Sequence, residues 1–286
     1  MSICYVNGSF EDKSKAMISI QDRGFNFADG VYEVMSFYGT NVINIERHLK
    51  RLEKSLEGLK INFPYTNIKS LELILKKIIK LNYLDNGFLY LQITRGSSHR
   101  NHLFPKAISP NIVIFTFNVK HDEKLTSNGV NILLSDDIRW GRCDIKSISL
   151  LPNVLEKQKA FENNFYESWQ KRGDYITEGS TSNAFIVNKN NEIQTHPSNN
   201  YILGGVTRDT VIQIAKLNKL IVKEEPFSLK ELQECNEAFL TSTTAKILPV
   251  VKVDNVSVNN GKPGIVTNKL IKKYNHFIDC EINESN

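Results

Sequence analysis

Lys146 opens a stretch, Ser147-Ile148-Ser149-Leu150-Leu151-Pro152, that carries no charge. An amine among apolar and hydroxyl neighbours gives up its proton more readily, and a free amine attacks a carbonyl. The same lysine could instead lay its stem on the surface and keep its ammonium in water. A second candidate is Leu203-Gly204-Gly205-Val206-Thr207-Arg208-Asp209. Its glycines allow close backbone approach ahead of a helix for which Thr207 is the expected N-cap. Unpaired N–H groups at a helix start suit an anion, phosphate best. A plain glycine turn with a capping threonine explains the segment equally well.

Three further segments carry chemistry-bearing side chains. Phe239-Leu240 runs into Thr241-Ser242-Thr243-Thr244, four hydroxyls at a strand end that could wrap a phosphate or sit in a solvated turn. A phosphate site needs a cation as well, and Arg51 is one of many candidates. Glu178 ends the short apolar run Tyr175-Ile176-Thr177 and precedes Gly179 and a row of hydroxyls. There it could hold a proton on a heterocycle nitrogen or be an ordinary turn glutamate. His99, Arg100 and His102 crowd one loop after a strand. Such a loop suits capture of a carboxylate, the arginine offering a fork of donors, or is a solvated basic loop.

The elements that must position these residues follow from hydrophobic spacing. Ile3–Val6 reads as a strand that turns at Asn7-Gly8. Val31–Tyr38 is a strand, with Gly39-Thr40-Asn41 turning into Val42–Ile45. Residues 46–59 and 67–84 show helical spacing, and 88–95 and 112–119 read as strands, the last apolar enough to be buried on both faces. The polar segment 121–129 is the expected linker. Beyond it, 130–134, 184–187, 192–196 and 238–241 read as strands, and 153–170, 207–217 and 264–277 as helices. The expectation is an α+β chain with a small domain over 1–120 and a larger one over 130–286.

Composition excludes several classes. The chain has 286 residues, 41% hydrophobic and 23% charged, an ordinary globular mixture. Net charge is +5, without the concentrated basic stripe of a dedicated nucleic-acid binder. Cys4, Cys143, Cys235 and Cys280 form no CxxC pair, so neither a disulfide framework nor a structural zinc site is expected. His99 and His102 lie in a loop with no obvious third ligand, and no metal is expected there. The dinucleotide, P-loop, zincin and nucleophile-elbow motifs are absent. No leader-like segment opens the sequence and no apolar run is long enough to span a membrane, so the expected location is cytoplasmic.

The order and spacing of these segments resemble one family over nearly the whole chain. Asp22-Arg23-Gly24, Gly30-Val31-Tyr32-Glu33, Asp137-Ile138-Arg139-Trp140, Arg142-Cys143-Asp144-Ile145-Lys146-Ser147, Thr195-His196-Pro197 and Thr241-Ser242-Thr243-Thr244 carry the likeness. The chain resembles the fold type IV pyridoxal-phosphate aminotransferases. Arg100-Asn101-His102 resembles the carboxylate trap of their D-amino-acid branch, with His99 where that branch carries proline. The resemblance implies a larger C-terminal domain with a barrel-like sheet, pyridoxal 5'-phosphate as cofactor, and a homodimer with a shared active site. It implies amino acids and 2-oxo acids as substrates, D-alanine and D-glutamate among them, and no nucleic acid or membrane partner. Lys146 would be the Schiff-base lysine and the acid/base at the α-carbon, and Glu178 the partner of the ring nitrogen. Arg51, Val206, Thr207, Ser242 and Thr243 would bind the phosphate, and Leu203 would pack on the ring. Tyr32, Arg100 and His102 would hold the substrate carboxylate, the last two arriving from the partner subunit. Competing readings are a branched-chain L-amino-acid aminotransferase or aminodeoxychorismate lyase of the same fold. A non-catalytic basic-loop binding protein is the competitor from another class.

Overall fold

Asn7 and Gly8 both take positive φ, the conformation a two-residue hairpin turn requires. They join β1 (Ile3–Val6) to β2 (Ser9–Asp12). The structure, a computed structural model, describes residues 2–119 and 122–284. The short helix α1 (Arg23–Phe27) is capped by Asp22, whose side chain accepts from Phe25 N. Then come β3 (Gly30–Tyr38), β4 (Asn41–Val42), α2 (Ile45–Leu59), α3 (Ser70–Asn82), β5 (Asn86–Thr94) and β6 (Asn111–Phe117). The strands form one antiparallel sheet in the order β2-β1-β6-β5-β3-β4.

The leucine spacing of α2 and α3 turns Leu49, Leu52 and Leu56, and Leu71, Leu75 and Ile78, onto one face of this sheet. There they meet Val31, Met35, Leu89, Leu91, Ile93 and Ile114. Each such side chain contributes about 1.5–3 kcal/mol by leaving water. The expectation that residues 112–119 are buried on both faces fails. Ile112, Ile114 and Thr116 are buried, whereas Val113, Phe115 and Phe117 are half-buried. An antiparallel sheet covered by helices on one side needs only alternate apolar positions. The expected strand 42–45 also shrinks, because Ile45 already opens α2.

The second sheet is mixed. Its part of the chain contains α4 (Glu123–Asn128), β7 (Val130–Asp136), α5 (Leu151–Glu162), β8 (Glu167–Arg172), β9 (Tyr175–Gly179), β10 (Asn183–Val187) and β11 (Ile193–Thr195). It continues through α6 (Val206–Leu217), β12 (Val222–Glu224), α7 (Leu229–Glu234), β13 (Glu237–Ser242), β14 (Lys246–Val253), β15 (Val256–Ser257) and α8 (Ile265–Glu284). The strand order is β12-β11-β10-β13-β14-β7-β8-β9, with β15 paired to β14. Although β9 ends that order, it also lies against β10, so the sheet curls back on itself. Residues 123–128 of the expected linker are helical, capped by Asp122, and His121 lies outside the described residues. The expected helix 153–170 is two elements. Asn163 and Asn164, the latter at φ +62°, end α5, and Glu167 begins β8.

By compactness the chain divides into Met1–Val119 with Ile145–Ser149 and Glu281–Asn286, and Lys120–Asp144 with Leu150–Cys280. The Lys146 segment thus groups with the first sheet. Tyr32 N donates to Lys146 O at 3.0 Å, and Val31 bridges to Ser147. Among the described residues, no helix is long and apolar enough to cross a membrane.

Candidate active site

In the first unit, Lys146 is held by its backbone. Its N–H donates to Ser55 Oγ at 3.1 Å, and its carbonyl takes the Tyr32 N–H. Its Nζ lies 4.0 Å from the centre of the Tyr32 ring, a cation–π contact. Ser55 shares a face of α2 with His48 and Arg51, at i, i+3 and i+7. That face looks onto Glu33, a fully buried carboxylate on β3. Arg51 grips Glu33 with two parallel bonds, from Nε at 2.8 Å and from Nη2 at 2.7 Å. His48 Nδ1 lies 2.7 Å from Glu33, so this ring nitrogen carries the proton it gives to the carboxylate. Burial would raise the Glu33 carboxyl, but the charge and bonds of Arg51, with help from His48, hold it at about 2. Burial keeps His48 below its ordinary value. Sequence reasoning singled out Arg51 but missed Glu33 and His48. Spacing puts His48 on the same face of α2 as Arg51, but that this face meets Glu33 on β3 follows only from the tertiary packing.

Arg100 and His102 are exposed on the loop after β5. Both lie against one ring: the Arg100 guanidinium is 4.9 Å from the centre of Phe27, and the His102 ring is 5.2 Å from it. Gly96 starts this loop at φ +112°, and a Cβ there would lie 2.1 Å from the Ser109 carbonyl oxygen. Only glycine fits that turn.

In the second unit, Glu178, the last residue but one of β9, lies in a buried network. It accepts from Arg139 Nη1, from Asn183 Nδ2 at 2.9 Å and from Leu203 N at 3.0 Å. Arg139 in turn bonds the buried Asp137 through Nε and Nη2, at 2.9 and 2.8 Å. Burial pushes the Glu178 carboxyl up to about 7, against the pull of Arg139 and the donated bonds. Arg139 and Arg172 hold Asp137 below the usual range despite its burial. Asn183 also donates to Leu203 O at 2.9 Å, which ties the carboxylate to the glycine turn. Of this network, sequence reasoning named Glu178 and Leu203 as site residues. Arg139 stood only within a matching stretch, and Asn183 carried no assigned role.

The glycine turn leads into α6 as expected, but the N-cap is Gly205, with no side-chain bond, and Thr207 is a buried residue inside the first turn. Glycine brings no side-chain oxygen, so the first N–H groups of the helix have no capping side chain. A Cβ on Gly205 would lie 2.0 Å from Asn183 Oδ1, and one on Gly204 would lie 2.9 Å from Ser198 Oγ. Ser242 and Thr243 sit at the hairpin between β13 and β14, half-buried, and Ser242 Oγ accepts from Ala245 N. Among the described residues, no group of three or more His, Cys, Asp or Glu is placed to hold a metal.

The donor sets fit pyridoxal phosphate. A helix N-terminus that no side chain caps, behind two glycines of which Gly205 has no room for a Cβ beside Asn183, suits its phosphate. A buried carboxylate held by three donors suits a protonated ring nitrogen. A backbone-anchored lysine suits its aldehyde.

Comparison with known proteins agrees. The pattern of the class IV amino-transferases matches residues 30–253. The chain is 38% identical to the D-alanine aminotransferase of Staphylococcus haemolyticus over 280 residues, 98% of this chain and 99% of that protein. It is 39% identical to the D-alanine aminotransferase of Bacillus licheniformis over 263 residues, 91% of this chain and 92% of that one. The branched-chain amino acid aminotransferase of Escherichia coli superposes with a TM-score of 0.88 at 23% identity, covering 95% of this chain and 92% of that one. Another branched-chain amino acid aminotransferase, solved with pyridoxamine 5'-phosphate, superposes equally well, with a TM-score of 0.88 at 21% identity. That match covers 96% of this chain and 92% of that one. The chain belongs to the class IV aminotransferases, enzymes that work with pyridoxal 5'-phosphate, and its curled mixed sheet is that of fold type IV.

Proposed function

We propose that this aminotransferase moves amino groups between D-amino acids, D-alanine and D-glutamate among them, and 2-oxo acids. The observation that carries the reading is the Arg100-x-His102 pair, gathered on one loop against the Phe27 ring. Its support is near-full-length similarity to two D-alanine aminotransferases. The bound cofactor supplies an aldehyde for the amino group and a ring that draws electrons from the α-carbon. Lys146 carries the cofactor and moves the proton at the α-carbon with Nζ. Glu178 holds the proton on the ring nitrogen. Arg51, Val206, Thr207, Ser242 and Thr243 hold the phosphate, and Leu203 packs on the ring.

Tyr32, Arg100 and His102 bind the substrate carboxylate, Arg100 and His102 coming from the partner subunit of a homodimer that works in the cytoplasm. With the carboxylate anchored on that side, a D-amino acid turns its α-hydrogen towards Lys146. An L-amino acid on the same anchor would turn its side chain there. The branched-chain alternative shares the fold, as the Escherichia coli enzyme does, but rests on 23% identity. The test is the chirality of the glutamate formed from D-alanine and 2-oxoglutarate. D-glutamate is expected, and L-glutamate or no product would contradict the proposal.

A further inference from the structure

The loop that bears Arg100 and His102 has no helix or strand of its own between β5 and β6, and both side chains are exposed. Long side chains in water sample many rotamers, and fixing them opposes binding. Two residues of α1, four apart, restrain them. Arg23 is buried and donates from Nη1 to the carbonyls of Asn101, at 2.6 Å, and Leu103, at 3.4 Å. These carbonyls belong to the residues that directly follow Arg100 and His102. Arg23 is itself fixed by Asp29, at 2.8 Å from Nε, and Asp29 also takes a two-pronged pair from Arg95. Phe27 then offers its ring to three groups. The guanidinium of Arg23 lies 4.8 Å from its centre, that of Arg100 4.9 Å, and the His102 ring 5.2 Å. Arg23 therefore holds the loop backbone, and Phe27 gathers the two loop side chains.

We propose that Phe27 is a positioning residue for substrate specificity: its ring pre-orients Arg100 and His102 to receive the substrate carboxylate. The inference rests on the reading of those two residues as carboxylate ligands. It concerns how they are held, and Phe27 itself touches no substrate. A residue that only prepares a binding group changes substrate affinity and leaves turnover at saturation alone.

The experiment compares Phe27→Leu, Phe27→Tyr and Arg100→Ala as loaded enzymes. It measures kcat and KM for D-alanine, the inhibition constant of propionate as a bare carboxylate, cofactor content and thermal midpoint. Phe27→Leu keeps apolar bulk but loses the aromatic face, so the fold and cofactor content are expected to hold. KM and the propionate constant should each rise about 5-fold, the size of an exposed cation–π contact plus the lost ring contact, with kcat within 2-fold. Phe27→Tyr keeps the face and should restore both constants. Unchanged constants in Phe27→Leu, with Arg100→Ala impaired, would overturn the positioning role and leave the carboxylate reading standing. A fall in kcat or cofactor content, or failure of Phe27→Tyr to restore affinity, would mark a merely structural ring and overturn it too. An unimpaired Arg100→Ala would remove the carboxylate reading and this inference with it.

Discussion

Arg139 joins two buried carboxylates: its guanidinium bonds Asp137 with Nε and Nη2 and Glu178 with Nη1. Removing it strands both charges away from water. Breaking such a pair from one side typically costs about 3–5 kcal/mol. Arg139→Met should lower the unfolding free energy of the apoprotein by that order, read by urea titration. A loss below about 1 kcal/mol would mean that the network carries little of the local stability.

Glu178 makes the apoprotein sensitive to pH with a definite sign. Its folded value, about 7, lies above the ordinary carboxyl value near 4.5, so between the two the folded state holds a proton that the unfolded state lacks. Its contribution to stability is fully present below about pH 4.5 and is lost as pH rises through 7. Relative to Glu178→Gln, the native apoprotein should therefore lose on the order of 2–3 kcal/mol between pH 4.5 and 7.5. Loading the cofactor should shrink this slope, because a protonated ring nitrogen favours the ionised carboxylate. The same slope with and without cofactor would argue against pairing at the ring nitrogen.

Glu33 acts in the opposite direction. Its folded value, about 2, lies below the unfolded one, so its stabilisation is present above about pH 4.5 and is lost as pH falls towards 2. Glu33→Gln leaves Arg51 without its counter-charge and His48 without its charged acceptor, and should cost about 3–5 kcal/mol at pH 7. The gap to the native protein should narrow as the medium is acidified. A gap that stays constant from pH 7 to pH 2.5 would refute the assignment of charge to this carboxyl.

Gly205→Ala tests the turn beneath the anion site. Its φ of −70° suits any residue, so the effect is one of space. The new Cβ would lie 2.0 Å from Asn183 Oδ1, and Asn183 must move, yet Asn183 holds both Glu178 and the Leu203 carbonyl. Overpacking of this kind costs about 1–3 kcal/mol. Cofactor affinity, followed by equilibrium titration, should fall about 10-fold or more. Unchanged affinity would show that the turn does not shape the phosphate site.

Local signals carried much of this architecture. The leucine spacing of α2, the Asn7-Gly8 turn and the glycines before α6 each specify their element within a few residues. Lys146 and Glu178 stood out because they belong to short segments with unusual composition. Arg139 and Glu33 did not, because their meaning lies in partners 39 and 18 residues away, met only when strands and helices are brought into register. Thr207 shows the converse failure. A threonine near a helix start suggests a cap, but the helix begins one residue earlier, and Gly205 takes that position without a side chain. The over-long helix at 153–170 failed similarly, since two asparagines can end a helix without any proline or glycine.

The central claim is that one fixed carboxylate anchor and one fixed base select the D-enantiomer. It is tested most directly by kcat/KM of the purified, cofactor-loaded protein for D-alanine and for L-leucine, each with 2-oxoglutarate as acceptor. Losing a charged anchor costs about 2–5 kcal/mol, so a donor that cannot use the anchor should be disfavoured by roughly 30-fold or more. D-alanine ahead of L-leucine by at least that margin is the predicted result. Equal use of the two donors, or preference for L-leucine, would contradict it.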